Sequence, residues 1–403
     1  MDLDLQSLEE QGLALLREAC CSYGIRASTE DQENYQRLWA RDSIIAGIAG
    51  LLADDEKIIA GLRNSLLTLA KHQNALGMIP SNVLPNEENP DISYGSLAGR
   101  VDANSWFIIG VCLYLLNRAD GNLINKLKPQ MDKTLDLLDC WEYNANGLLY
   151  TPLSGNWADE YPVQGYTLYD NALRLWALRL YNSLFENEKR KQQAKVIEEK
   201  IKVNFWPTTS NLNHPAVYHQ RCFKQTANGN LEHFACAINP QGYNMHFDTA
   251  GNGLALLLRL AHNRRFKKML NHLKPIFRQI STVLMPAFWP VITSNDPLWD
   301  ALKDNFNYNF KNYPHQYHNG GIWPVWMGWF ALGASVTGIS DLPETMLQAW
   351  LKIEDKDNIS FSEYISSDTL KQNGKKRLSY SASGLIFLCK AIQKDSYKRL
   401  HLT

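Results

Sequence analysis

Hydrophobic residues recur along the chain at the 3.6-residue spacing of α-helices, and no segment shows the clear alternation of a β-strand. The chain has 403 residues, and this spacing predicts twelve helices in it. Their approximate bounds are 5–23, 41–53, 55–72, 102–118, 124–141, 166–185, 189–205, 248–263, 265–283, 320–337, 341–354 and 380–393.

The predicted helices alternate along the chain between two compositions. The odd-numbered ones are amphipathic and charged, as in DEKIIAGLRNSLLTLAKH, whereas the even-numbered ones are apolar nearly all round, as in GGIWPVWMGWFALGA. A helix that is apolar on every side is buried on every side, and an amphipathic helix lies at a surface. The sequence therefore predicts inner and outer helices in alternation.

The connections between the helices follow the same alternation. Links that leave the even-numbered helices have about one to five residues, and links that enter them have about 17 to about 42. Six outer–inner helix pairs with all long loops at one end predict an all-α (α/α)6 barrel, which we place in a single domain over residues 1–403. An irregular helical protein and two stacked bundles are the alternatives.

Bulk composition limits the partners of such a barrel. Lys and Arg together number 41, as do Asp and Glu, so no net charge favours nucleic acid or an anionic membrane. No apolar run reaches the roughly 18–20 residues of a membrane-spanning helix, and the N-terminus lacks a signal-peptide pattern. Seven scattered cysteines indicate reduced thiols, which predicts a cytoplasmic protein. The oligomeric state stays open.

Unusual residues cluster where each long loop meets the start of an even-numbered helix. Nearly every junction holds an acid or amide together with an aromatic residue, and helix N-termini suit carboxylates that must be held in place. Each acid alone is equally well explained as an N-cap, but their convergence from six loops indicates a carbohydrate site. The junctions are NYQRLWARDS, GRVDANSWF, GNWADEYPVQGY, YNMHFDTAGNG, YPHQYHNGGIWP and FSEYISSD.

Two of these acids have the setting that glycoside hydrolysis requires. One carboxyl must donate a proton to the leaving oxygen, and a second must activate water. Asp159 lies close to Trp157, and an apolar ring against a carboxyl favours its protonated form, although Glu160 could take that role instead. Glu363 is the candidate base.

We expect no cofactor and no metal, because the cluster of His214, His219 and Cys222 matches no standard zinc spacing. Terpene-cyclase-like helical barrels are a rival class, but their Asp-rich metal motif is absent from the sequence.

Four of the junction motifs, NYQRLWARDS, NWADEYPVQGY, QYHNGGIWPV and FSEYISSD, resemble those of neutral/alkaline invertases and of the glucosidase module of glycogen-debranching enzymes. The resemblance runs in order from about residue 34 to about residue 393. It implies a six-hairpin, inverting glycosidase with Asp159 as general acid and Glu363 as general base. It also implies a terminal-glucose site, for which the candidate residues are Trp39, Arg41, Asp42, Asp102, Trp106, Trp157, Glu160, His318, Asn319 and Trp323.

The resemblance leaves the leaving group open. Invertases typically follow their acid with two arginines, whereas Glu160 and Tyr161 follow Asp159 in this chain. The expected function is an inverting, exo-acting hydrolase of a terminal α-linked glucose in a small sugar, such as sucrose or an α-glucosidic oligosaccharide. An amylo-α-1,6-glucosidase-like module that acts on glycogen-type branch stubs is one alternative. A non-catalytic carbohydrate-binding protein is another, and it would not need both Asp159 and Glu363.

Overall fold

A computed structural model describes residues 4–30, 33–86, 89–229, 231–339, 341–393 and 396–402. Within them the chain is mostly helical, and all twelve predicted helices are present. Two short helices, α8 and α11, were not predicted, because so few residues give no readable periodicity. The helices are α1 Leu5–Ala19, α2 Ala40–Ala53, α3 Glu56–Lys71, α4 Asp102–Asn117, α5 Gly121–Cys140, α6 Leu168–Leu184, α7 Glu188–Asn204, α8 Gln220–Ala227, α9 Thr249–Leu257, α10 Asn263–Gln279, α11 Trp299–Lys303, α12 Pro324–Val336, α13 Asp341–Trp350 and α14 Ser379–Ile392.

The strands of the described chain are two or three residues long and lie in the loops between helices. Each sheet is antiparallel and has two or three strands. Strands this short leave no alternation in the sequence that could have predicted them. They are β1 Cys20–Cys21, β2 Gly24–Ile25, β3 Leu38–Trp39, β4 Asn82–Leu84, β5 Asp91–Ser93, β6 Tyr166–Thr167, β7 Ala237–Asn239, β8 Gly242–Asn244, β9 Phe247–Asp248, β10 Phe288–Trp289, β11 Tyr364–Ile365 and β12 Gln372–Asn373.

Several helix ends differ from the predicted bounds for local reasons. Helix α1 stops at Ala19, because the two residues after it pair with Gly24–Ile25 in a hairpin. Helix α12 begins only at Pro324, whose fixed φ and missing N–H suit the first turn of a helix. Beyond the end of α9, Arg259 has a φ of 56°, so the predicted continuation to residue 263 does not form.

Six helices form a closed inner ring. Helices α2, α4, α6, α9, α12 and α14 each pack against the next in this order, and α14 packs against α2. These six helices are the ones predicted to lie inside, and their burial agrees with that prediction. In α12, for example, nearly every residue is buried. The amphipathic helices lie outside the ring: α10, for example, buries only Phe266, Met269, Leu273 and Ile276. The fold is therefore the predicted (α/α)6 barrel.

The short and long links lie at opposite ends of the barrel. Links at residues 54–55, 118–120, 185–187, 258–262 and 337–340 leave the inner helices, and the long loops enter them. In the first short link, Asp54 ends α2 with a left-handed φ of 61°. Asp55 then caps α3 by accepting a hydrogen bond from the N–H of Ile58. No helix in the described part of the chain combines the length and hydrophobicity needed to cross a bilayer.

Glycines allow the inner helices to approach each other closely. A Cβ added at Gly328 of α12 would lie 2.6 Å from the carbonyl oxygen of Gly384 in α14. One added at Gly384 would overlap the carbonyl group of Pro324. Both obstacles are backbone atoms of a packed helix, so a side chain at either position forces the two helices apart.

We predict that Gly384→Ala destabilises the barrel by about 2 kcal/mol, because the added methyl group separates α12 from α14. The measurement is the free energy of unfolding in urea. Gly121→Ala is the matched control, since nothing lies within 4 Å of a Cβ at this first residue of α5. The control should be neutral or slightly stabilising. Equal stability of both variants would contradict the close approach of α12 and α14.

Candidate active site

A cavity of about 420 Å³ opens at the end of the barrel that carries the long loops. This volume lies in the usual range for small-molecule sites. The loops at residues 20–39, 72–101, 141–167, 280–323 and 351–378 all contribute lining residues, together with the first turns of α2 and α14. The lining residues used below are Tyr35, Arg37, Trp39, Arg41, Asp42, Asp91, Arg100, Trp157, Asp159, Glu160, Asn307, Tyr308, Lys311, Tyr317, His318, Trp323, Glu363 and Tyr380.

None of the described residues in the loop at 205–248 lines the cavity, although the junction of this loop was predicted to join the site. This part of the six-loop prediction is corrected by the structure. Strand β9 pairs with β10, so that Asp248 lies opposite Phe288 and behind the cavity wall. Phe288 is stacked against Trp157, and only Trp157 of these two rings lines the cavity. Burial raises the pKa of Asp248 to about 7, and its Oδ1 atom has no partner.

Asp159 lies on the cavity wall and forms an ion pair with Arg100 through Oδ2. The side chain of Arg100 is buried, and it also donates to the carbonyl oxygen of Ser154 and to Oγ of Ser96. Arg100 therefore fixes the orientation of the Asp159 carboxyl group. If Asp159 donates a proton, that proton must be on Oδ1, because Oδ2 accepts from the guanidinium.

Glu160 also lines the cavity and is more buried than Asp159. Its Oε1 atom accepts hydrogen bonds from the backbone N–H and the side-chain amide of Asn307, at 3.2 and 3.4 Å. Its Oε2 atom has no partner. Burial, and then the charge of Asp159, raise the pKa of Glu160 above its ordinary value. The two adjacent acids thus have different environments. Asp159 is paired with Arg100, whereas Glu160 is buried and its Oε2 atom has no hydrogen-bond partner among the described residues.

Glu363 enters the cavity from the loop before α14 and is 5% exposed. Its Oε1 atom accepts a hydrogen bond of 2.7 Å from the hydroxyl group of Tyr35. Burial raises the pKa of Glu363, and the bond from Tyr35 opposes that rise. Burial is the largest cause that raises the pKa of Tyr317. The charges of Glu363 and Asp159 raise it further, so both carboxylates act on the same buried side chain.

Arg41 and Asp42 open helix α2 and face the same cavity. Arg41 donates to Oδ2 of Asp102 at 2.9 Å, and Tyr169 donates to the same oxygen at 3.2 Å. Burial raises the pKa of Asp42 to about 6, although the neighbouring Arg41 lowers it. The Oδ2 atom of Asp42 has no hydrogen-bond partner, which leaves it available to a ligand.

Aromatic rings form much of the remaining wall. Trp39, Trp157 and Trp323 all line the cavity, as predicted. His318 lies nearly parallel to Trp323 at 5.4 Å and edge-on to Trp157 at 5.2 Å. Burial, followed by the charge of Lys311, holds the pKa of His318 well below its ordinary value. The imidazole is therefore neutral, and its Nδ1 atom is without a partner.

Three predicted binding residues lie behind the lining instead of on it. Asp102 is buried and holds Arg41 in place. Trp106 packs between Trp176 and Trp329, because helix α4 turns it towards the barrel core. Asn319 uses its amide on the backbone of Ile292 and Asn312, which ties two parts of one loop together. The structure thus places these three candidate residues behind the cavity wall, and their part in sugar binding stays a prediction.

Many further lining residues were not predicted, among them Tyr35, Arg100, Lys311, Tyr317 and Tyr380. Tyr35 and Arg100 lie inside motifs that were recognised. An arginine within a motif that also contains an acid is a signal that could have identified Arg100. Tyr317 precedes the recognised His318, and Tyr380 is the second residue of α14. Lys311 lies in a loop segment without a sequence motif, so nothing in the sequence distinguishes it.

Several buried polar atoms on the cavity wall have no hydrogen-bond partner among the described residues. They include Arg41 Nε, Asp42 Oδ2, Trp157 Nε1, Glu160 Oε2, His318 Nδ1 and the hydroxyl oxygen of Tyr380. Buried polar groups in folded proteins are normally satisfied, so donors and acceptors left open around one cavity indicate a polar ligand or ordered water. A polyhydroxylated molecule offers matching donors and acceptors. Among the described residues, no cluster of His, Cys, Asp and Glu could hold a metal ion.

Solved structures with the same architecture define the class of fold. A mannosylglycerate hydrolase from Thermus thermophilus, in complex with Tris, has a TM-score of 0.68 at 13% identity, over 94% of this chain and 99% of that chain. A bacterial glucoamylase complexed with acarbose has a TM-score of 0.57 at 16% identity, over 96% of this chain and 55% of that chain. The fold is that of the six-hairpin (α/α)6-barrel glycosidases.

Sequence comparisons show which proteins of this class the chain resembles. Residues 226–394 match the family described as alkaline and neutral invertase. The probable alkaline/neutral invertase A, chloroplastic, of Arabidopsis thaliana is 23% identical over 84% of this chain and 62% of its own length. The neutral/alkaline invertase 1, mitochondrial, of Oryza sativa subsp. japonica is 27% identical over 36% of this chain and 22% of its own length. The predicted resemblance to the invertases is thus confirmed, although the chain spans less than two thirds of these relatives.

We predict that Asp248→Asn flattens the pH dependence of stability. The pKa of this carboxyl is about 7 in the folded protein and about 4 in the unfolded chain. Its contribution to stability is therefore fully present below about pH 4 and is lost as the pH rises through 7. Relative to the wild type, the variant should gain about 4 kcal/mol between pH 4 and pH 8. The free energy of unfolding measured across this range tests the prediction.

Asp300→Asn is the matched control for this measurement, because the Asp300 side chain is 82% exposed and lacks the burial that raises the pKa of Asp248. Its stability should follow the wild-type curve. Parallel curves for Asp248→Asn and the wild type would show that Asp248 does not carry a raised pKa.

Proposed function

We propose that the protein is an inverting, exo-acting glycoside hydrolase that removes a terminal α-linked glucose from a small sugar. The observation that carries the proposal is the position of two acids around one polar cavity. Asp159 precedes α6 and Glu363 precedes α14, and these helices are three places apart in a ring of six. The two carboxyl groups therefore enter the cavity from opposite sides of the barrel. An inverting reaction needs this arrangement, with the sugar between acid and base.

In the proposed reaction, Asp159 transfers its proton to the glycosidic oxygen as the bond from that oxygen to C1 of glucose breaks. Glu363 accepts a proton from a water molecule, whose oxygen forms the new bond to C1 on the opposite face. The water supplies both the hydroxyl group of the product and the proton that Glu363 retains. The hydrogen bond from Tyr35 to Oε1 and a hydrogen bond of 3.3 Å from the backbone N–H of Lys375 to Oε2 orient the Glu363 carboxylate. Each carboxylate oxygen can accept a second hydrogen bond, and the water uses one of these positions.

The terminal glucose is bound in this proposal by the polar atoms that are open in the free protein. Asp42 Oδ2 accepts from sugar hydroxyls, and Arg41 donates to them while Asp102 holds the guanidinium. Trp157 and Trp323 present ring faces and edges to the pyranose. We place Asp102, Trp106 and Asn319 in supporting positions, because they stabilise the wall without lining it. Neutral His318 can accept a hydrogen bond through its Nδ1 atom.

The proposed setting is the cytoplasm. All seven cysteines are free thiols, which is typical of a reducing compartment. The names of the plant relatives include chloroplastic and mitochondrial. Fractionation of the source cells, followed by detection of the protein with an antibody, tests this assignment.

We predict that Asp159→Asn and Glu363→Gln each lower kcat/KM for a disaccharide by more than about 10³-fold. The tests are hydrolysis of sucrose, maltose, isomaltose, trehalose and panose, and of α-glucosyl fluoride. Fluoride leaves without a proton, so it should restore much of the turnover of Asp159→Asn and none of that of Glu363→Gln. NMR should show β-glucose as the first product, since the reaction inverts the anomeric carbon.

Glu160→Gln is the matched control, because it neutralises the acid beside Asp159. Rescue by fluoride in Glu160→Gln instead of Asp159→Asn would transfer the donor role to Glu160. Full disaccharide activity in both Asp159→Asn and Glu363→Gln would refute the catalytic assignment. Sugar binding without hydrolysis by the wild type would favour a carbohydrate-binding protein.

We further predict that Tyr35→Phe lowers kcat/KM about 10-fold and moves its acidic limb to higher pH. The hydroxyl group of Tyr35 stabilises the charged form of Glu363, so its removal raises the pKa of the base. The base must be ionised to activate water, and activity is therefore lost at a higher pH. The pH profile of kcat/KM measures this shift. Tyr23→Phe removes a hydroxyl that donates to the carbonyl oxygen of Gln36, outside the cavity, and should leave the profile unchanged.

A further inference from the structure

One loop segment is hydrogen-bonded to the backbone of the proposed acid, Asp159, and also forms part of the edge of the cavity. We call residues 304–312, which follow α11, the mouth segment. The side-chain amide of Asn305 donates to the carbonyl oxygen of Asp159 at 3.3 Å, and its Oδ1 accepts from the hydroxyl of Ser154 at 2.9 Å. Asn312 donates to the carbonyl oxygen of Glu160 at 2.8 Å. The mouth segment is thus fixed relative to Asp159, on the side where a leaving group must be protonated.

The same segment sets the orientation of Glu160. Asn307 occupies Oε1 with two donors, so the carboxylate cannot turn freely. Oε2 then lacks any partner, although the residue is only 4% exposed and lines the cavity. A buried carboxylate oxygen without a donor is costly, and a ligand hydroxyl would satisfy it.

Two other side chains of the mouth segment line the cavity. Tyr308 is 81% exposed, so most of its ring is free of protein contacts. Lys311 lies with its ammonium 4.9 Å from the centre of the Tyr317 ring. The lining cations Arg37, Arg41 and Arg100 form ion pairs with Asp91, Asp102 and Asp159, respectively. Within the described residues, no such pair is observed for Lys311, whose charge instead acts on Glu160 and Glu363.

We propose that Glu160, Tyr308 and Lys311 form the subsite for the leaving group, and that this group is a second, uncharged sugar ring. The inference rests on the proposed function. Glu160 offers an acceptor, Lys311 a donor and Tyr308 a flat apolar face. An anionic leaving group would meet Glu160 beside it, and a purely apolar one would leave both charges unsatisfied. A ring with several hydroxyl groups satisfies the acceptor and the donor and stacks on the phenol.

The test compares substrates that fill this subsite with one that does not. For each protein, kcat/KM is measured with sucrose, maltose and isomaltose, with methyl α-glucoside, with a glucoside of glycerate and with α-glucosyl fluoride. The ratio of the best disaccharide to methyl α-glucoside reports the leaving-group subsite, because both substrates need a proton on the leaving oxygen and only the disaccharide carries a second ring. In Tyr308→Ala and Lys311→Met this ratio should fall about fivefold or more, because the leaving ring loses its contacts.

The controls are Tyr313→Ala and Lys303→Met, which remove an exposed tyrosine and an exposed lysine of the same region that do not line the cavity. Both should keep the wild-type ratio, and thermal unfolding checks that all four variants are folded. An unchanged ratio in Tyr308→Ala and Lys311→Met overturns the inference. Wild-type preference for the glycerate or methyl glucoside over every disaccharide also overturns it. If the wild type hydrolyses no glucoside, including the fluoride, the proposed function itself fails.

Discussion

The structure depends on one constraint: six helices that are buried on nearly all sides must pack against each other in a closed ring. Such helices have few positions at which a polar group can meet water, so the polar groups that they present to the cavity lie at their ends. The glycines of α12 and α14 show how close the packing is, since the carbonyl oxygen of one helix occupies the space that a side chain would need. Arg41 and Asp42 in α2, and Tyr380 in α14, accordingly lie in first turns.

Hydrogen bonds between loop residues and the first turns of the inner helices then fix the loops that surround the cavity. Asp170, in the first turn of α6, accepts hydrogen bonds from Thr151, Thr167 and Asn156. The Oδ1 atom of Asn156 in turn accepts from the N–H of Ala158, directly before Asp159. Asp159, the proposed acid, is thus attached to a buried hydrogen-bond network and not to a free loop. Preorganisation of this kind keeps a catalytic group in place without cost at the moment of reaction.

The sequence predicted the architecture well, because helix periodicity and link length are both local properties. The acids, Arg41, Asp42 and three of the four candidate tryptophans come from contiguous motifs and line one cavity, and their catalytic and binding roles stay predictions. The sequence could not show that Trp106 turns into the core, since its motif looks the same whether the ring faces the cavity or the barrel interior. Asn319 is a similar case, because an amide that binds loop backbone and one that binds sugar have the same sequence signature. Lys311 was missed because its position is set by folding alone, and the single-domain interpretation stays a prediction.

The loop at residues 205–248 is as long as any that enters the ring, yet none of its described residues lines the cavity. Its turn between β7 and β8, at residues 240–241, is exposed. Loop tips of this kind tolerate added sequence. A fluorescent or affinity module joined there would leave the cavity wall untouched.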